Sequence, residues 1–142
     1  MIITVGTRSS RWRLVQCLYI WAVMAGLLAQ GAGSLLLDSN GDLQRATPYL
    51  LATLMNGNPP HAWLHVAWGG AGLVFLALFR TFPARIGLGL VFGIFYTLLG
   101  FLGIVVHHPF RMRLELSENV FHLTVGPLML LLTSLAFMSE RK

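Results

Sequence analysis

The 21 residues from Ile86 to Val106 read IGLGLVFGIFYTLLGFLGIVV and contain no Asp, Glu, Lys, Arg or His. A helix rises about 1.5 Å per residue, so roughly 20 such residues cross the ~30 Å hydrocarbon core of a bilayer. This run is long enough and apolar enough to do so. Arg80, Pro83 and Arg85 bound it on one side and His107-His108-Pro109 on the other. Working outward, the same pattern recurs three times. Leu14 to Leu37 follows Arg8, Arg11 and Arg13; His61 to Phe79 follows Asn58-Pro59-Pro60; Val120 to Met138 precedes Ser139-Glu140-Arg141-Lys142. The spacing predicts an all-α chain: a four-transmembrane-helix bundle forming one integral membrane domain over 1–142, with spans at about 14–37, 61–79, 86–106 and 120–138.

Composition agrees. Of 142 residues, 56% are hydrophobic and 11% charged, against about 25% charged in an ordinary soluble domain. That is too little charge to coat a globule. The net charge of +5 comes from basic residues scattered at the ends of apolar runs, which is a topology signal rather than a nucleic-acid stripe. The single cysteine, Cys17, lies inside the first apolar run and reads as an inert thiol. That run exceeds the roughly 7–15 apolar residues of a signal peptide and is read as a retained helix.

Asp38-Ser39-Asn40-Gly41-Asp42 is a cluster of turn residues that ends the first span. Thr47-Pro48 then opens a short apolar stretch closed by Asn56-Gly57. Such punctuation predicts a helix over about 48–55, too short to span and placed on the outer membrane surface. The short basic link around Arg80 and Arg85 predicts that the second and third spans form an antiparallel hairpin. Small residues at Gly26, Ala29, Gly33, Gly69, Gly70, Gly72, Gly89, Gly93, Thr97, Gly100 and Gly103 mark helix contacts, because helices in lipid associate through close approach. Pro127 is expected to weaken or kink the fourth span. One side of the membrane carries Arg8, Arg11, Arg13, Arg80, Arg85, Arg141 and Lys142, seven basic residues, and the other Arg45, Arg111 and Arg113, three. Seven against three places both termini in the cytoplasm.

The second and fourth spans share a word. Asn58 precedes His61 and His65-Val-Ala-Trp-Gly69; Asn119 precedes His122-Leu-Thr-Val-Gly126. Each His-x-x-x-Gly lies near the outer start of its helix, and aligning His65 on His122 sets Phe79 near Phe137. Two helix hairpins related by a parallel repeat would produce this. The pattern of four spans with an Asn…His-x-x-x-Gly word opening the second and the fourth resembles an uncharacterised family of bacterial four-helix membrane proteins, a domain of unknown function. The resemblance covers roughly Leu14 to Met138. It implies the fold and a bacterial inner membrane, and no activity.

Ionisable groups inside a membrane are costly and draw attention by default. His65 and His122 admit three readings: hydrogen bonds between helices; axial ligands of a haem or (bacterio)chlorophyll, with Gly69 and Gly126 giving clearance for the flat ring; or part of an ion pathway with Gln30. His61, His107 and His108 gather near the same side, where a divalent metal could use such a cluster. No His-Glu-x-x-His word occurs and no carboxylate lies inside an expected span, which argues against both a metalloprotease and a carboxylate-based pump, and no metal ligand and no catalytic residue is assigned. The expectation is a non-catalytic accessory or structural subunit packing in lipid against other membrane proteins or itself. A pigment- or haem-binding protein is the first alternative, and a small transporter or ion-pathway protein the second.

Overall fold

The computed structural model of the chain describes residues 8–48, 58–106, 109–112 and 114–140. Five helices are described: α1 Arg8–Ser39, α2 Gly41–Ala46, α3 Pro59–Leu78, α4 Phe82–Val106 and α5 Leu116–Glu140, with a 3₁₀ turn at Pro109–Arg111 before α5. All but α2 are long and apolar enough to cross a membrane. The architecture is therefore an all-α four-helix bundle. The expected surface helix over 48–55 lies, apart from Pro48, outside the described residues, as do His107 and His108.

Helix ends follow capping chemistry more than hydropathy. Asn40, inside the expected turn, is the N-cap of α2, its side chain accepting from the N–H groups of Asp42 at 3.1 Å and Leu43 at 3.0 Å. Asn58 caps α3 by accepting from the His61 N–H at 3.4 Å, with prolines in the first turn. Helix α5 begins four residues before the apolar run and continues through Pro127 as one helix. Its start is closed by Glu118, which reaches back to accept the Glu115 N–H at 2.6 Å. That is the returning half of a capping box.

The surface is inverted relative to a soluble protein. Leu18, Trp21, Val91, Leu98, Phe101, Val105 and Leu131 are exposed, while Gln16, Ser34, His61, His65, Asn119, His122 and Thr133 are buried. In water that pattern would be unstable. In hydrocarbon it is the expected one, since polar side chains gain by turning toward one another.

The close pairs are α1 with α3 and α4 with α5, joined along α1 and α5. The helices of the expected hairpin of the second and third spans, joined by the link from Phe79 to Thr81, pack less closely than these pairs. Glycines decide where backbones meet: a Cβ on Gly69 would stand 2.7 Å from Met24 O and 2.8 Å from Leu28 Cα, and one on Gly126 would stand 2.6 Å from Thr97 N and 3.0 Å from Gly93 O. Between α3 and α4 stand rings instead, with Trp68 centroids 5.5 Å from Phe92 and 5.1 Å from Phe95. Indole and phenyl groups are too thick for close helix contact, so the short link turns the chain without joining the two helices tightly.

The two tight pairs repeat each other. Gly69 on Met24 and Leu28 corresponds to Gly126 on Gly93 and Thr97, and Gly31 against His65 Cβ corresponds to Gly100 against His122 Cβ. Residues of α3 map to α5 by adding 57 (65 to 122, 69 to 126), and those of α1 to α4 by adding 69 (24 to 93, 31 to 100).

At the end carrying the termini, Arg13 pairs with Glu140 and stands 4.4 Å over the Phe82 ring, while Gln16 Nε2 donates to Arg85 O at 3.3 Å. Arg85 also approaches Cys17, its Nη1 3.1 Å from Sγ, so the thiol expected to be inert has a cationic neighbour. The Arg13 and Glu140 side chains are 39% and 31% exposed, and such a pair contributes little. Glu140→Gln is expected to move the unfolding midpoint in detergent by the equivalent of no more than about 1 kcal/mol; thermal melts followed by circular dichroism check this.

Candidate functional site

At the opposite end, the first two turns of α3 and of α5 bring three imidazoles together. His61 and His65 lie one turn apart on α3, with ring centroids 4.2 Å apart. His122 arrives from α5, 5.3 Å from His61 and 6.1 Å from His65, its ring nearly perpendicular to both. They are 2%, 3% and 0% exposed, too deep for bulk water to serve their nitrogens. One ring nitrogen from each lies within 4.8 Å of the others.

The partners of these rings set their tautomers. His65 Nδ1 meets Gln30 Oε1, and the Gln30 amide nitrogen donates to Ser34 Oγ at 3.3 Å. With its NH₂ committed to Ser34, the amide presents oxygen to His65, so Nδ1 carries the proton and Nε2 a lone pair. That Nε2 is buried without a hydrogen-bond partner. His61 Nδ1 lies 3.0 Å from Glu118 Oε1, an electrostatic contact that places its proton on the same side and leaves the Nε2 lone pair facing His122. His61 Nε2 accepts a hydrogen bond from His122 Nε2 at 3.3 Å. Two nitrogens bound at about 2.0–2.1 Å to one tetrahedral ion stand roughly 3.3–3.4 Å apart. Tyr96 of α4 closes the back, its ring 5.1 Å from His122 and 6.1 Å from His65.

Each of the four long helices thus contributes: Gln30 and Ser34 from α1, His61 and His65 from α3, Tyr96 from α4, Glu118 and His122 from α5. A cavity of about 570 Å³ opens beside the cluster, lined by Tyr19, Ala22, Val23, Gly26, Leu27 and Gln30 of α1, by His61 and His65, and by Ser117, Glu118, Phe121 and Val125 of α5. No protein-family model, curated protein or solved structure matches this chain. The resemblance of its His-x-x-x-Gly words to a four-span family rests on those residues alone.

The structure alters two expectations. His65 and His122 do share a site, but the space beside Gly69 and Gly126 is filled by the backbones of α1 and α4. Those glycines give clearance to a helix and leave no slot for a macrocycle. Glu118, a residue to which the sequence reading gave no role, stands beside the histidines in the first turn of α5, 17% exposed. The repeat pointed to it: adding 57 to His61 reaches Glu118. The two asparagines do not share a role. Asn58 is an N-cap, whereas Asn119 lies inside α5 against Gly103, 4% exposed.

Proposed function

We propose that this chain is a bilayer-spanning protein of a bacterial inner membrane that binds one divalent transition metal per chain through His61, His65 and His122. The observation that carries the reading is the convergence of three buried imidazoles from two helices, with two Nε2 atoms at the spacing of ligands on one tetrahedral ion. Imidazole sets of this kind suit zinc, copper, cobalt or nickel rather than calcium or magnesium. Glu118 and Gln30 would hold the Nδ1 protons of His61 and His65, the outer-shell arrangement that orients metal-binding histidines. With the termini cytoplasmic, as seven basic residues against three support, the metal would lie in the outer half of the bilayer.

The accessory-subunit reading loses part of its motive, because Gly31, Gly69, Gly72, Gly89, Gly93, Gly100, Gly103 and Gly126 are taken up by packing within the chain. Titration of the metal-stripped protein in detergent with Co(II) tests the metal reading. One equivalent is expected to bind with the strong visible d–d absorption of a four-coordinate site, and zinc is expected to bleach it. Absence of saturable binding for cobalt, zinc and copper alike would sink the proposal.

A further inference from the structure

Three imidazoles leave one position of a tetrahedral ion open, and His61 and His65 are also the polar floor of the 570 Å³ cavity. Gln30, Ser117 and Glu118 line it beside these histidines, its other walls are apolar residues of α1 and α5, and Ala22, Gly26 and Ser117 on its rim are exposed. Ala22 and Gly26 sit about midway along α1, so the cavity opens sideways at bilayer depth, while Ser117 and Glu118 form a polar outer end in the first turn of α5. A guest that fills both parts has a polar head and an apolar chain. The volume falls within the roughly 300–1,000 Å³ of ordinary small-molecule sites.

Charge selects the head group. A divalent ion on neutral imidazoles carries +2, and the Glu118 carboxylate beside it supplies −1, leaving one uncompensated positive charge in a low-dielectric interior. An unpaired buried charge is strongly unfavourable, and a monoanion on the open position removes it.

Resting on the metal reading, we propose that this cavity binds a long-chain carboxylate, its head group on the open metal position beside His61 and His65 and its acyl chain running past Gly26 toward the bilayer centre. Gly26 is the place to block it: nothing lies within 4 Å of a Cβ there, so a side chain can be added without disturbing helix packing or the histidines.

The test uses Co(II)-loaded full-length protein in nanodiscs of zwitterionic lipid, with the visible d–d spectrum as readout. Dodecanoate is expected to change the wild-type spectrum saturably, at concentrations at least tenfold lower than acetate requires, while dodecanol leaves it unchanged. Gly26→Leu is expected to keep the cobalt spectrum and the acetate response and to lose the dodecanoate advantage. Equal potency of acetate and dodecanoate on the wild type, an equal response to dodecanol, or an undiminished dodecanoate response in Gly26→Leu would each overturn the inference. Failure of the wild type to bind cobalt strikes instead at the metal reading beneath it.

Discussion

Replacing His61, His65 or His122 with Ala is expected to weaken Co(II) or zinc binding by more than 100-fold, the largest change that any single substitution in this chain should produce. Each removes a coordinate bond to the ion. Glu118→Gln and Gln30→Leu leave all three imidazoles in place and alter the groups that hold the Nδ1 protons, and changes at that remove cost roughly 10–100-fold in affinity. The ordering distinguishes a metal centre from three histidines that happen to pack together, because in the latter case all of these variants would affect unfolding alone. A metal-dependent melt separates the two effects. Metal held a hundredfold above its dissociation constant adds about 2.7 kcal/mol to stability, so EDTA should lower the wild-type midpoint and leave that of the histidine variants where it was. A metal-induced shift that survives in His65→Ala and His122→Ala would remove both residues from the site.

Gly126→Ala and Gly69→Ala carry the second large effect, here on stability. The added methyl group would stand 2.6 Å from Thr97 N at Gly126 and 2.7 Å from Met24 O at Gly69, against backbone that cannot rotate away. Overpacking a tight interior costs about 1–3 kcal/mol per site, and the helix pair must separate to relieve it. Gly26→Ala and Gly87→Ala are the controls, since nothing lies within 4 Å of either position; they should stay within about 1 kcal/mol of wild type, on the stabilising side, because Ala is the better helix former. Steric-trap or denaturant unfolding in detergent compares the four. Gly126→Ala should also weaken metal binding, as His122 stands one turn away on the same helix. Equal stability of all four variants would show that the α4–α5 and α1–α3 contacts have room for the added methyl group.

These outcomes depend on how two kinds of glycine are told apart, and composition does not do that. Gly26 and Gly69 look alike in a string of letters, both set in apolar runs at spacings that suit helix contact. Only the docked helices show that Gly69 is filled by a neighbour and Gly26 faces an open cavity. The same limit explains the pairing of the helices. A three-residue link between α3 and α4 forces the chain to turn back, yet turning back does not require contact along the helices. Trp68, Phe92 and Phe95 hold these two helices apart by ring thickness, a property that emerges once it is known which faces point at each other.

Four apolar runs, their basic flanks and the repeated His-x-x-x-Gly word were legible from the letters, because a span is set by length and hydropathy, both properties of local sequence. The repeat even contained Glu118, opposite His61 in the register that sets His65 on His122. Its role was hidden because hydropathy ends a helix where charge begins, whereas the capping contact from Glu118 to the Glu115 N–H carries α5 one turn further. What only tertiary structure decided is the convergence of His61 and His65 with His122, 61 and 57 residues apart in the chain. Distances across a bundle depend on which small residues let which backbones touch, and on the rotation of each helix about its axis. Those are settled jointly by all four helices and by none of them alone.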